Sequence, residues 1–235
     1  MIPELIELYQ LAFSSYVYTV ISGYDYTYKE LVDNTRGRVN LYEVQHRQFI
    51  IKWLNSWGCR QFAIEYHNLA SKSILEWYER FSEKIISPSK NLLTADEQDI
   101  TDICESYEAL SQSLASYREG HTRVNIGPTG AAKLLFALRS NVLPPWDEPI
   151  RRELGFNGRR ESYERFLYHT KKQLINLSRQ CEEHVFLLQE LPKKLDREDV
   201  TLPKLIDEYY WLVITKRVIP PDRSTLKGWY EFSIT

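Results

Sequence analysis

Between residues 125 and 156, NIGPTGAAKLLFALRSNVLPPWDEPIRRELGF, the chain twice breaks a pattern that is otherwise helical. Around this segment glycine is scarce, alternating strand patterns are absent and helix start signals recur, so the fold class expected is all-α. Thr27 followed by Glu30, and Thr94 followed by Glu97, have capping-box spacing; the second precedes a long run that reads as helix up to Gly120. In LYEVQHRQFIIKWLNSWG, the residues Val44, Phe49, Ile50, Trp53, Leu54 and Trp57 share one broad helical face, and SILEWYERFSEKII is a second amphipathic helix. A long helix is expected from about Glu161 to Leu191, closed by Pro192, and a last one from Pro203 to Lys216 before an irregular tail. No linker composition appears, so two helical lobes sharing a cleft are expected, residues 1–118 and 119–235.

The 235 residues are enough to bury a core without disulfides or metal. Cys59, Cys104 and Cys181 lie too far apart for a metal-ligand or redox motif, which points to a reduced, intracellular setting. Glu4 and Glu7 stand where a secretory signal carries basic residues, and no run is apolar enough to span a bilayer. A cytoplasmic monomer with no membrane partner, no metal and no cofactor is the expectation.

Net charge is −2, but its distribution is uneven. Residues 118–179 hold twelve Lys or Arg against six Asp or Glu, so this segment carries +6 and the remainder −8. A solvated helix face explains such a run as well as an anionic partner does. The excess surrounds the two breaks.

At the first break, Gly127-Pro128-Thr129-Gly130 runs into a helix expected to begin near Ala131. Glycines permit a tight turn and close approach to a ligand, and the first amides of a helix lack intrahelical partners. Gly127, Thr129, Gly130 and Ala131 are therefore candidate phosphate-binding residues, with Lys133 adding charge one turn in; simple helix punctuation is the alternative. At the second break two prolines stiffen the approach to Asp147, which occupies an N-cap position before EPIRREL. The same carboxylate is suited to balance a cationic sugar and orient a water.

The order of glycine turn, helix, loop and then Pro145-Trp146-Asp147 with Ile150, Arg152, Leu154 and Gly155 resembles the helix-hairpin-helix DNA glycosylases, the fold of the 8-oxoguanine glycosylases. The resemblance implies double-stranded DNA as partner, Asp147 as the catalytic carboxylate, and excision of a flipped, modified base by hydrolysis of its N-glycosidic bond, leaving an abasic site. It is firm over about thirty residues. The glycine spacing is one residue longer than in the family, and Lys133 is displaced by one position from the lysine that forms a Schiff base in bifunctional members, so base excision without strand cleavage is expected. Similar stand-alone bacterial proteins suggest glucosylated hydroxymethylcytosine of phage DNA as substrate, in antiviral defence; oxidised or alkylated bases in repair are alternatives. Trp146, beside Asp147, is expected to wall the base pocket, with Trp53 and Trp57 as further candidates. Arg151 and Arg152 are expected DNA contacts. A non-catalytic helix-hairpin-helix module remains a competing reading, as does a helical scaffold without a nucleic-acid partner.

Overall fold

The computed structural model describes residues 4–85, 90–222 and 224–228. Of the expected segments, Ile86 and the tail residues 223 and 229–235 lie outside these. The chain is mostly helical, in agreement with the all-α class. Helix α1 (Leu8–Ile21) opens with a capping box, the Gln10 side chain accepting from the Glu7 amide. It buries Leu8, Leu11, Ala12, Ser15 and Tyr18, the spacing of one helical face. Three amide side chains hold its start: the Ile6 and Leu8 amides donate to Gln173 and Gln180 at 2.9 Å each, and Asn176 donates to the Ile6 carbonyl at 2.8 Å.

Helices α2 (Tyr24–Asn34), α3 (Val44–Ser56) and α4 (His67–Phe81) follow, the last two on the amphipathic runs described above. Thr27 is not a cap. It lies one turn inside α2, its hydroxyl bonded to the Tyr24 carbonyl. The capping box of α5 (Glu97–Gln112) is likewise displaced, formed by Asp96 and Asp99, since Thr94 is drawn into a turn with Asn91.

The run read as helix to Gly120 ends instead at Gln112. Beyond it, β1 (Leu114–Arg118) and β2 (Thr122–Asn125) pair antiparallel, with Ser116 opposite Val124 and Arg118 opposite Thr122. Ser116 donates its hydroxyl to the Gln61 carbonyl and the Ser113 carbonyl receives the Ile126 amide, tertiary bonds that a helical continuation would forfeit. The glycine turn therefore joins a strand to a helix rather than two helices. The expected boundary at 118 falls inside this hairpin, and one continuous core runs from Ile6 to Leu226.

At the centre lies α6 (Gly127–Leu138), beginning at Gly127 rather than near Ala131. Ala131, Ala132, Leu134, Leu135 and Phe136 are fully enclosed, which accounts for a sequence apolar on all sides. Helix α6 packs on α3 and α5. After the proline loop come α7 (Glu148–Glu153) and α8 (Arg160–Glu183), whose buried stripe Tyr163, Phe166, Thr170, Leu174, Leu177 and Cys181 seats it. Helix α8 stops short of Pro192 because Val185 turns left-handed and the Cys181 carbonyl takes the Phe186 amide. Short α9 (Leu191–Lys194) precedes α10 (Leu202–Tyr210), which packs on α1 and widens into a π-helical segment, Trp211–Thr215, against α7. Among the described residues no helix is long and apolar enough to cross a membrane.

Candidate functional site

Lys133 is the only charged side chain of α6, and it is buried. An ammonium taken out of water needs partners. Its Nζ lies 2.6 Å from Asp147 Oδ1, donates to the Trp57 carbonyl at 2.7 Å and sits 5.4 Å from the Trp57 ring centroid. Fourteen residues apart in sequence, the two breaks thus meet through one ion pair.

Pro144 and Pro145 deliver Asp147 in an extended conformation (φ −86°, ψ 154°) to the N-cap of α7. Its side chain makes no capping bond. The carboxylate is turned onto Lys133 and stays 28% exposed, leaving it partly reachable from solvent.

Beside this pair is a void of about 20 Å³, with Tyr18, Tyr24, Trp57 and Trp211 as aromatic walls. That is the scale of one water. Lys204 and Asp207 of α10 complete its polar lining, 3.0 Å apart. Lys204 also receives Tyr18 as a hydrogen-bond acceptor at 3.1 Å and reaches Glu208 at 3.6 Å. Arg197 binds Glu208 at 3.0 Å and Asp25 at 2.7 Å. Cations and carboxylates alternate across the core from Lys133 to Asp25.

Burial pushes the Asp207 carboxyl up, and the Asp147 charge adds to that against the pull of Lys204. Burial likewise carries Glu208 to about 7, with Lys204 and Arg197 opposing. The Tyr18 phenol rises to about 12 by burial. For Lys204 burial works against the charge, but Asp207, Tyr18 and Glu208 outweigh it and the ammonium is held well above its ordinary value.

Two larger openings lie further out, one of them next to the void. A cavity of about 540 Å³ shares Lys204 with it and has Tyr28 and Phe136 as apolar walls. A groove of about 1360 Å³ shares Tyr28 with that cavity.

Trp57 lines the void, while Trp53 is buried behind it, ring centroids 4.6 Å apart. Trp146 does not. It is fully buried, stacked on Phe166 at 4.9 Å and 5° and tilted against Tyr163, so it belongs to the core beneath α8 rather than to a base pocket. The expected phosphate grip is also largely filled by the chain itself. Gly130 is covered by the Gln61 side chain and Ile126, a Cβ there meeting them at 2.5 and 2.9 Å, and Ala131 and Lys133 are buried. Gly127 supplies the left-handed turn (φ +71°), and Thr129 accepts from Arg151 at 3.1 Å. Arg151 is buried over the Trp146 ring, leaving Arg152 as the exposed member of the arginine pair.

Sequence reasoning passed over Lys204, Asp207 and Glu208. Their spacing gave no warning: Lys204, Asp207 and Glu208 share one face of LPKLIDEYY opposite Leu205, Ile206 and Tyr209, the pattern of a helix that turns its charges to solvent, and only the packing of α10 buries them. Compared with known proteins, the chain matches no family model, no curated protein and no solved structure.

Proposed function

We propose that the protein is a DNA glycosylase that takes up a flipped, modified base from duplex DNA and hydrolyses its N-glycosidic bond, with Asp147 as the key carboxylate. The observation that carries this reading is the direction of Asp147: it stands at a helix start yet leaves the cap unfilled and faces a water-sized void between two lysine–carboxylate pairs. A fixed carboxylate there balances the positive charge that develops on the sugar as the base departs. Water adds its oxygen to the anomeric carbon and gives a proton to Asp147, while the bonding pair leaves with the base. The void is too small for a base, and the 540 Å³ cavity across Lys204 has the volume for one.

Lys133 is engaged by Asp147 and the Trp57 carbonyl, so nucleophilic attack requires it to lose both partners and a proton. This supports hydrolysis without strand cleavage as the reading. The Pro145-Trp146-Asp147 segment does not specify the base: glucosylated hydroxymethylcytosine of phage DNA is one substrate to test, and oxidised or alkylated bases are the alternatives.

The test is to incubate the protein with a panel of genomic DNAs, including phage DNA bearing hydroxymethylated or glucosylated cytosine, and to reveal abasic sites with alkali. Excision is expected on at least one modified DNA, falling on the order of 10²-fold or more in Asp147→Asn. Absence of abasic sites on every DNA, or an equally active Asn variant, refutes the proposal. Strand breaks without alkali, and a borohydride-trapped adduct lost in Lys133→Ala, would make Lys133 the nucleophile.

A further inference from the structure

Asp147 and Asp207 reach one void from two places far apart in the chain, the first carried by the proline loop and the second by α10. Each has a lysine beside it, Lys133 at 2.6 Å from Asp147 Oδ1 and Lys204 at 3.0 Å from Asp207 Oδ2. That engages one oxygen of each carboxylate. The other oxygen, Asp147 Oδ2 or Asp207 Oδ1, has no hydrogen-bond partner among the described residues. A buried ion pair holds a fold together no better than apolar side chains of its volume, so stability alone does not account for two such pairs around one void.

The void, about 20 Å³, has room for one water and nothing larger. A buried water needs about two to four polar partners, and Lys133, Asp147, Lys204 and Asp207 all line this space. Carboxylate oxygens accept and ammonium groups donate, so a water here gives one proton to each carboxylate and keeps a lone pair for an electrophile. The two carboxylates also feel one another: burial raises the Asp207 carboxyl, Lys204 opposes that, and the Asp147 charge raises it further. Asp147 is the partly open member and Asp207 the enclosed one, so a sugar meets the water from the Asp147 side.

We propose that this void seats the attacking water and that Asp207 is a second catalytic carboxylate, accepting one proton of that water in a hydrogen bond while Asp147 accepts the other. The assignment rests on the glycosylase reading and deepens it. As the water oxygen bonds to the anomeric carbon and the C–N bonding pair leaves with the base, the proton on the Asp147 side transfers to that carboxylate. The proton on the Asp207 side stays on the oxygen, as the hydroxyl of the released sugar. Lys204 is a positioning residue, fixing Asp207 by its Oδ2.

The experiment turns on Asp207→Asn, which keeps the shape and reverses the polarity. The Lys204 ammonium can only donate, so the amide oxygen must face it and the amide NH2 faces the void, where a donor turns the water round. In single-turnover assays on the modified DNA that wild type excises, this variant is expected to be slower on the order of 10²-fold, with a urea midpoint close to that of wild type. Glu208→Gln, in the same buried network but off the void, should excise as wild type does. Methanol gives a readout that a merely structural role would not move. It is too large for the void, so wild type in water–methanol mixtures should form no methyl glycoside, whereas Asp207→Ala, which widens the void, should form it. A crystal structure of the DNA-free protein should show one ordered water within about 3.2 Å of both carboxylates. An Asn variant as active as wild type, an equal loss in Glu208→Gln, methyl glycoside made by wild type, or the absence of that water overturns the assignment and leaves Asp147's role standing. A wild-type protein that excises nothing from any DNA refutes the glycosylase reading, and the assignment with it.

Discussion

Replacing Asp147 by Ala strands the Lys133 ammonium in the core, and the stability cost can be worked from its surroundings. Lys133 is buried, with Asp147 at 2.6 Å and the Trp57 carbonyl at 2.7 Å as its polar partners. Removing one member of a buried pair costs about 3–5 kcal/mol. Asp147 is partly exposed, so water entering its place relieves some of that, and about 3 kcal/mol is expected. The α7 helix adds nothing, because the side chain makes no cap bond. In a chain of this length the change corresponds to a fall in Tm of about 6–12 °C. Asp147→Asn keeps an oxygen for Lys133 and should lose about 1 kcal/mol. Lys133→Met leaves a carboxylate that solvent can reach and should also cost about 1 kcal/mol, with its stem volume retained. The double variant Asp147→Ala/Lys133→Met then costs less than the sum of its parts, a coupling of about 2 kcal/mol in urea unfolding. Additivity within about 0.5 kcal/mol, or an Asp147→Ala protein as stable as wild type, would refute the buried-pair account.

Gly130→Val is expected to lower stability by about 1–3 kcal/mol through the clash with Gln61 and Ile126; a variant with unchanged urea midpoint but weaker DNA binding would return the turn to the role its sequence suggested. Glu208 has a folded-state value of about 7 against an ordinary 4.5, so the folded state holds a proton that the unfolded state has lost, and its contribution to stability falls as pH rises between those values. Glu208→Gln should therefore gain on wild type from about pH 5 to about pH 7.5, by at most about 3 kcal/mol, whereas parallel stability curves would show that Glu208 is ionised throughout.

Much of the helical frame is legible in the sequence because periodic apolar residues fix which face is buried, as in Ile50, Trp53, Leu54 and Trp57. The hairpin at residues 114–125 was not, since LASYR and TRVN are too short to show alternation and gain their strand form from bonds to Gln61 and between themselves. Gly127 and Asp147 announced themselves by backbone chemistry, and their elements were found. What each side chain touches was a different matter. Adjacency along the chain placed Trp146 beside Asp147, but successive residues in an extended segment point opposite ways, so one faces the core and the other the void. Lys204 and Asp207 reach the same void from more than fifty residues downstream, a proximity that only tertiary packing creates.

The bonds that fasten Ile6 and Leu8 to Gln173, Asn176 and Gln180 join residues about 170 apart, and α1 rests on α10 further along still. During synthesis the first helix leaves the ribosome long before either partner exists. At about 5–20 residues per second that interval lasts on the order of 10–30 s. Throughout it Leu8, Leu11, Ala12 and Tyr18 lack α8 and α10, the helices on which α1 packs. The order of manufacture thus runs against the order of assembly. A nascent chain halted before residue 170 should hold its central helices close to their final places while its earliest segment stays open to chaperones and proteases.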